Sequence, residues 1–248
     1  SSAFAAAIAA ASSGGSSGPS RTSSRRTAAE DPEGSKIVQV TVPPIDIKEA
    51  KITLTGTSPL ITHPFGEKVR AQILAKQSQQ PSEGRAPKDP DEEIRLNFYV
   101  VPGRESGRLV LSKWPLREVE AEQGMFGFPA SGFKGAAVSA CRYLKGSGLT
   151  MNFVRGAFHV LGDILPLRWE KIRKRDDAVR LQRTGSADVR YRPEFVGWEI
   201  DLPIAFNSRG IGLAQIVNLY QHAGFSVGVG DWRPEKDGQF GMWRVKRG

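Results

Sequence analysis

Five glycines, Gly224, Gly228, Gly230, Gly238 and Gly241, crowd one stretch near the C-terminus, AGFSVGVGDWRPEKDGQFGMWRV from Ala223 to Val245. Glycines at that density let backbone N–H groups approach a ligand closely, because no Cβ stands in the way. Trp232 adds a flat stacking surface, and Arg233 and Lys236 add positive charge. That combination suits a phosphate and a base together. A second basic set lies upstream. Arg168, Lys171, Arg173, Lys174, Arg175, Arg180, Arg183, Arg190 and Arg192 face only Glu170, Asp176, Asp177 and Asp188, a net of +5, with Trp169 and Tyr191 interleaved. A charged groove with aromatics suits single-stranded nucleic acid, where stacking contributes about 1–3 kcal/mol per base. The same composition also describes a solvated insertion whose local ion pairs contribute little.

A third stretch, FPASGFKGAAVSACRYLK from Phe128 to Lys145, opens a helix. Pro129 and Ser131 mark its start, with Ser131 as the N-cap. Phe133, Ala136, Ala137, Ala140 and Leu144 form one apolar face. Lys134 falls in the first turns, where free N–H groups and the positive end of the macrodipole favour an anion. It is therefore a phosphate-contact candidate, or else an ordinary surface lysine. Ser131 and, further along the helix, Arg142 join the nucleic-acid-binding set.

Other chemistries find less support. His63, His159 and His222 have no ligand-like spacing. His63 lies near the end of an early strand, where it either meets a ligand or serves the structure. Asp231, Glu235 and Asp237 lack the alternating oxygen ligands of a calcium loop. GVGDW is followed by a strand, so it is no dinucleotide fingerprint. No Ser-His-Asp arrangement stands out, and no metal or cofactor is expected. The single cysteine, Cys141, excludes an internal disulfide and a thiolate cluster.

The chain has 248 residues and a formal charge of +9. Residues 1–35 contribute none of it, since Arg21, Arg25 and Arg26 balance Glu30, Asp31 and Glu33. The excess sits in the remainder, which points to a polyanionic partner. No stretch approaches the roughly 20 apolar residues that span a bilayer, and no Lys or Arg precedes the apolar start, as a signal peptide requires. The expectation is a cytoplasmic protein with no membrane partner.

These residues need elements to position them. Residues 1–35, rich in Ser, Ala and Gly, read as a disordered tail. Residues 36–248 read as one domain with insertions at about 62–127 and 168–192. Alternation predicts strands at Ile37–Val42 and Ala50–Thr55, and helical spacing a helix at Glu67–Gln77. Ser78–Asp91 reads as a proline-broken polar insertion. A strand at Leu96–Val101, a hairpin turn at Gly103–Gly107 with a second arm at Arg108–Ser112, and an unassigned Trp114–Gln123 follow. After the Phe128–Lys145 helix come a strand pair in Phe158–Trp169, an irregular basic segment, a strand at Phe195–Phe206, a helix at Gly210–Ala223, and a last strand at Phe240–Val245. Stripped of insertions, the order is βαββαβ. The predicted class is α+β, a ferredoxin-like or RRM-like four-stranded antiparallel sheet with two helices and large insertions. The free face of such a sheet is where RNA-recognition domains stack bases.

Three motifs in that order resemble the signature of the RAMP superfamily, ferredoxin-fold RNA-binding subunits of CRISPR effectors. They are TSPL at Thr57–Leu60; Pro129, Ser131, Lys134 and Gly135 at a helix start; and Gly228, Gly230, Gly238 and Gly241 before the last strand, in a loop that such a fold sets facing the helix start at Ser131–Gly135. The resemblance covers about a fifth of the chain and looks nearest to the backbone subunits that coat a guide RNA. It implies non-catalytic binding of single-stranded nucleic acid, RNA favoured over DNA, by phosphate contacts and stacking. The partners it implies are copies of the same chain along the strand and other effector-complex subunits. In family terms the basic insertion occupies the place of a thumb-like element that folds over the strand. RNA-cleaving members carry an acid in the loop after the first strand. Ser58–Phe65 has none, which weighs against a nuclease. The alternatives are an RNA endonuclease using His63 or an acid from Asp89 to Glu93 as base, and a phage structural or assembly protein.

Overall fold

The computed structural model describes residues 42–64, 74, 77–78, 89–103, 123–180 and 187–246. The chain divides into Ser1–Pro43 and Pro44–Gly248, and every element below lies in the second unit. The expected strand at Ile37–Val42, the helix at Glu67–Gln77, the hairpin after Gly103, Trp114–Gln123 and the tail lie wholly or almost wholly outside the described residues.

The main sheet is antiparallel throughout and holds seven strands. They are β1 (Ile47–Gly56), β3 (Tyr99–Val100), β4 (Phe126–Pro129), β5 (Phe158–Val160), β6 (Ile164–Arg168), β9 (Glu199–Asn207) and β10 (Trp243–Val245). Their order is β10-β1-β9-β6-β4-β3, with β5 also paired to β9. A second sheet of three strands runs β2-β8-β7, from β2 (Leu60–Ile61), β8 (Ala187–Val196) and β7 (Lys171–Arg180). The mixed α+β class therefore stands, with seven strands in the main sheet where four were expected. The α-helices whose bounds lie among the described residues are α1 (Pro90–Leu96), α2 (Ala130–Ala140), α3 (Met151–Ala157) and α4 (Leu213–Ser226). No described helix is long and apolar enough to cross a membrane.

Period-two alternation builds the core. On β1, Ile52 and Leu54 are buried, and in register opposite them stand Leu202 and Ile200 of β9, also buried. Against that face lie Phe133, Ala136, Ala137 and Ala140 of α2 and Ile216, Leu219, Tyr220 and Ala223 of α4. Small residues on both helices let them sit close to each other and to the sheet. Two indoles fill the end nearest the glycine loop: Trp198 donates from Nε1 to the Ser58 carbonyl at 2.8 Å, and Trp243 to the Tyr220 carbonyl at 3.0 Å.

Several elements differ from the sequence reading for identifiable reasons. The proline-broken run near residue 90 is a helix start: Asp89 caps it, accepting from the N–H groups of Asp91 and Glu92, with Pro90 in the first turn and three acids at its positive end. Thr150 caps α3, accepting from Phe153 N–H, in a stretch that had no assignment. The basic segment is no irregular insertion but a regular hairpin of two ten-residue strands in continuous register from Lys171↔Val196 to Arg180↔Ala187. Gly197, at φ 62°, splits the expected Phe195–Phe206 strand into β8 and β9. A Cβ there would stand 2.4 Å from the Glu170 side chain.

Candidate nucleic-acid interface

The glycine loop is tied to the protein by its own backbone. Val229 N–H donates to Gly241 O, Asp231 N–H to Ile61 O, Gly238 N–H to Arg233 O, and Gly241 N–H to Pro59 O. Those donors do not face a ligand. The glycines are required by how tightly the loop folds on itself: a Cβ at Gly238 would stand 1.7 Å from the Trp232 carbonyl oxygen, and one at Gly241 1.8 Å from that of Val229. Gly241 also has φ 64°, which a side chain adopts only under strain. The expected phosphate cradle is therefore a packing device. Arg233 is likewise turned inward, donating to Glu235 at 3.0 and 3.2 Å and to the Gly230 carbonyl at 3.2 Å. Trp232 remains outward, 44% exposed, on a backbone at φ 56°. Lys236 is exposed in the short turn Pro234–Lys236.

Lys134 does not stand where a phosphate would meet it. Its ammonium donates to the carbonyls of Val154, at 2.6 Å, and Phe158, and lies 3.7 Å from the centre of the Phe158 ring. It fastens α2 to the end of α3 and the start of β5. Burial lowers its pKa to about 8. The helix start shifts as well. Helix α2 begins at Ala130, with Pro129 in the capping position and no side-chain cap, and Ser131 is exposed one residue inside. Arg142 is exposed and 3.4 Å from Glu235.

The hairpin sorts its charges by position. Arg192 is 1% exposed and bridges Asp177, at 2.9 Å, and Asp231 of the glycine loop. Its Nε has no partner among the described residues. Arg175 binds Asp177 at 2.8 Å and Glu194 at 3.1 Å, and its guanidinium lies 4.6 Å over Phe240 of the glycine loop. These two arginines, expected at phosphates, fix the hairpin to the loop. Lys171, Arg173 and Lys174 are exposed on β7. Arg173 lies 3.7 Å from Glu194, and Lys174 lies 2.9 Å from Asp91 and above the Tyr191 ring. Arg190 is half-buried. Arg180 ends β7; its side chain, like all of Arg183, lies outside the described residues.

The outward face of the sheet offers no stacking platform on β1, β6 and β9. In its place Arg168 pairs with Asp201 and Glu199, Thr53 donates to Asp201 at 2.8 Å, Thr55 to Glu199 at 3.0 Å, and Lys246 to Glu199 at 2.9 Å. Arg168 therefore belongs to an ion-pair network on that face, while its chain neighbour Trp169 is buried in the core.

A pocket of about 370 Å³ opens between α2 and the glycine loop. Gly132, Gly135, Ala136 and Ser139 line it from α2, and residues 227 to 231 from the loop, with Arg233 and Glu235 just beyond. His63, Tyr99 and Phe128 complete the wall. The sequence had brought the helix start and the loop together; it had not placed Tyr99 there, nor paired His63 with Asp231. His63 Nδ1 stands 3.1 Å from Asp231 Oδ2. Burial pushes the Asp231 carboxyl up, but hydrogen bonds from His63 and Arg192 outweigh it and hold the group below the usual carboxylate range. Burial and the Asp231 charge together raise Tyr99, so its phenol stays protonated. A single aspartate and a single histidine 168 residues apart leave no spacing signal in sequence. Among the described residues no group of three His, Cys, Asp or Glu side chains is placed to hold a metal ion.

No family model matches the chain, and no curated protein matches it in sequence. Among solved structures, it is similar to the crystal structure of Cmr6 from Pyrococcus furiosus at 10% identity and a TM-score of 0.31, over 82% of this chain and all of that one.

Proposed function

We propose that the chain binds single-stranded nucleic acid, RNA before DNA, without cleaving it, and that copies assemble side by side along the strand. The observation that carries this is the β7–β8 hairpin. Its surplus of arginine and lysine is joined through Arg192 and Arg175 to a loop that holds Trp232 and Lys236 outward. Exposed cations next to an exposed indole are the two components that strand binding without sequence readout requires. The arrangement of β1, α2, β6, β9, α4 and β10, in spatial order β10-β1-β9-β6, supports reading the centre of the fold as the ferredoxin-like core expected from the sequence. The preference for RNA rests on the motif resemblance. The interface proposed consists of Lys171, Arg173, Lys174, Trp232 and Lys236; Arg175, Arg192 and Arg233 position it from within. The test is the ratio of absorbance at 260 and 280 nm of freshly purified full-length protein, before and after nuclease and high salt. Bound nucleic acid that sequencing identifies as RNA supports the proposal; protein free of nucleic acid that also fails to shift labelled RNA or DNA overturns it.

A second reading, RNA cleavage, draws on His63 and Asp231. Donation from Nδ1 to the carboxylate leaves Nε2 as the basic nitrogen of the imidazole. It would take the proton of a 2′-hydroxyl, whose oxygen attacks the adjacent phosphorus. The 5′-oxygen of the next nucleotide then leaves and collects a proton, and the product is a 2′,3′-cyclic phosphate. Sustained turnover of labelled RNA in EDTA that His63→Ala abolishes would establish cleavage and remove the binding-only reading.

A further inference from the structure

Two carboxylates stand in the lining of the pocket between α2 and the glycine loop. Its titratable groups besides Tyr99 are His63, Asp231, Arg233 and Glu235. Glu235, like Asp231, is held below the usual carboxylate range: burial raises it, and hydrogen bonds from Arg233 and Ser139 outweigh that. Arg233 is closed in on Glu235 and the Gly230 carbonyl. Arg192 behind Asp231 and Arg142 beside Glu235, neither of them in the lining, supply further counter-charge to the two carboxylates. What remains open toward a ligand is mainly acceptor capacity. Asp231 Oδ2 already receives His63 and Arg192, while Oδ1 receives no hydrogen bond among the described residues.

The shape is as selective as the charge. Tyr99 and Phe128 meet edge to face with ring centres 5.5 Å apart, giving the pocket an aromatic wall. Gly132, directly against the Phe128 ring, and Gly135, where a Cβ would meet nothing within 4 Å, keep the α2 wall thin. The volume falls within the range of small-ligand sites, and flat, partly aromatic walls favour a planar heterocycle over a flexible chain. The pocket also adjoins the strand-binding surface, because Asp231 lines it and anchors Arg192 of the hairpin.

We propose that this pocket takes one unstacked nucleobase out of the bound strand and selects for a donor-rich edge, guanine before adenine, cytosine or uracil. Proteins read unstacked bases by such edge contacts and aromatic packing. Guanine sets N1–H beside N2–H, two donors that converge on the open Asp231 Oδ1; carboxylates accept from base amino groups in the same way. Uracil carries one N–H between two carbonyls, and those oxygens would face the Asp231 charge. The proposal rests on the strand-binding reading above.

The test is competition binding of the full-length protein with four 12-nucleotide RNAs, oligouridine and the same strand with one central guanine, adenine or cytosine. The guanine strand is expected to bind at least about fivefold tighter than oligouridine. Two variants locate the effect. Asp231→Asn removes the acceptor charge; because it also loosens Arg192, Gly135→Leu is the second variant, since a Cβ at Gly135 meets nothing within 4 Å and the added side chain fills the pocket. Gly135→Leu should bring the guanine-to-uridine ratio to about one, with an unchanged circular dichroism spectrum. Equal binding of all four strands by the parent protein, or a guanine preference that survives Gly135→Leu, overturns the pocket proposal and leaves strand binding standing. Failure to bind any of the four strands removes the strand-binding reading, and the pocket proposal with it.

Discussion

Arg192→Ala should destabilise the protein by about 3–5 kcal/mol, the range for removing one partner of a buried ion pair. The guanidinium is almost wholly buried and makes charge-assisted hydrogen bonds to Asp177 and Asp231. Each such bond contributes roughly 1.5–3 kcal/mol. Neither carboxylate is left wholly alone: Asp177 keeps Arg175, at 2.8 and 2.9 Å, and Asp231 keeps His63 and is one-third exposed. That relief places the expected loss at the lower end, near about 3 kcal/mol. The measurement is urea unfolding followed by tryptophan fluorescence, with a shifted midpoint at constant slope. A double-mutant cycle with Asp177→Asn should return a coupling of about 1–3 kcal/mol. A stability change below about 1 kcal/mol, together with a large loss of RNA affinity, would refute the reasoning. Arg192 would then be a surface phosphate contact, as its place in the sequence suggests.

Lys134 should give stability an unusual pH dependence. Its folded pKa, about 8, lies below the ordinary lysine value, so between about pH 8 and 10.4 the unfolded chain holds a proton that the folded one has released. Stability should therefore rise through that window relative to Lys134→Met, as seen by urea midpoints at pH 7.5, 9 and 10, and the substitution should leave RNA affinity as it was. Two glycines should separate cleanly in thermal melts. Gly241→Ala, forced against the Val229 carbonyl at positive φ, should cost at least about 2 kcal/mol, roughly 4–8 °C in Tm. Gly135→Ala, in open space on a helix, should gain about 0.5–1 kcal/mol. Trp232→Ala should weaken RNA binding by about 1–3 kcal/mol in fluorescence anisotropy while the melting curve stays in place.

Local periodicity made much of the core legible. Ile52, Leu54, Ile200, Leu202 and Ile204 recur at every second position along the expected strands, and Phe133, Ala136, Ala137 and Ala140 follow helical spacing; all are buried. The meeting of the α2 start with the glycine loop was also legible, from the order of the motifs. What failed was the assignment of charges to water or to the interior. Arg192 and Lys171 look alike in a basic run, and only the β7–β8 register and the approach of Asp231 decide that one is buried and the other exposed. Lys134 sits at a helix start in either reading; its direction is set by the carbonyls of Val154 and Phe158, twenty and more residues away. Glycine density is similarly ambiguous, because close approach to a ligand and close approach of a loop to itself require the same missing Cβ. The DPDEE helix start was readable from capping rules alone, and the surrounding prolines concealed it.

Binding of a labelled 20-nucleotide RNA, followed across 50 to 200 mM KCl, bears most directly on strand binding by the exposed cations. If Lys171, Arg173, Lys174 and Lys236 each meet a phosphate, log K should fall with log salt at a slope of about −2.8, close to a fiftyfold loss over that range. Replacing Lys171 and Lys174 by glutamine should bring the slope to about −1.4. Binding that ignores salt, or a slope that those two substitutions leave untouched, would contradict it.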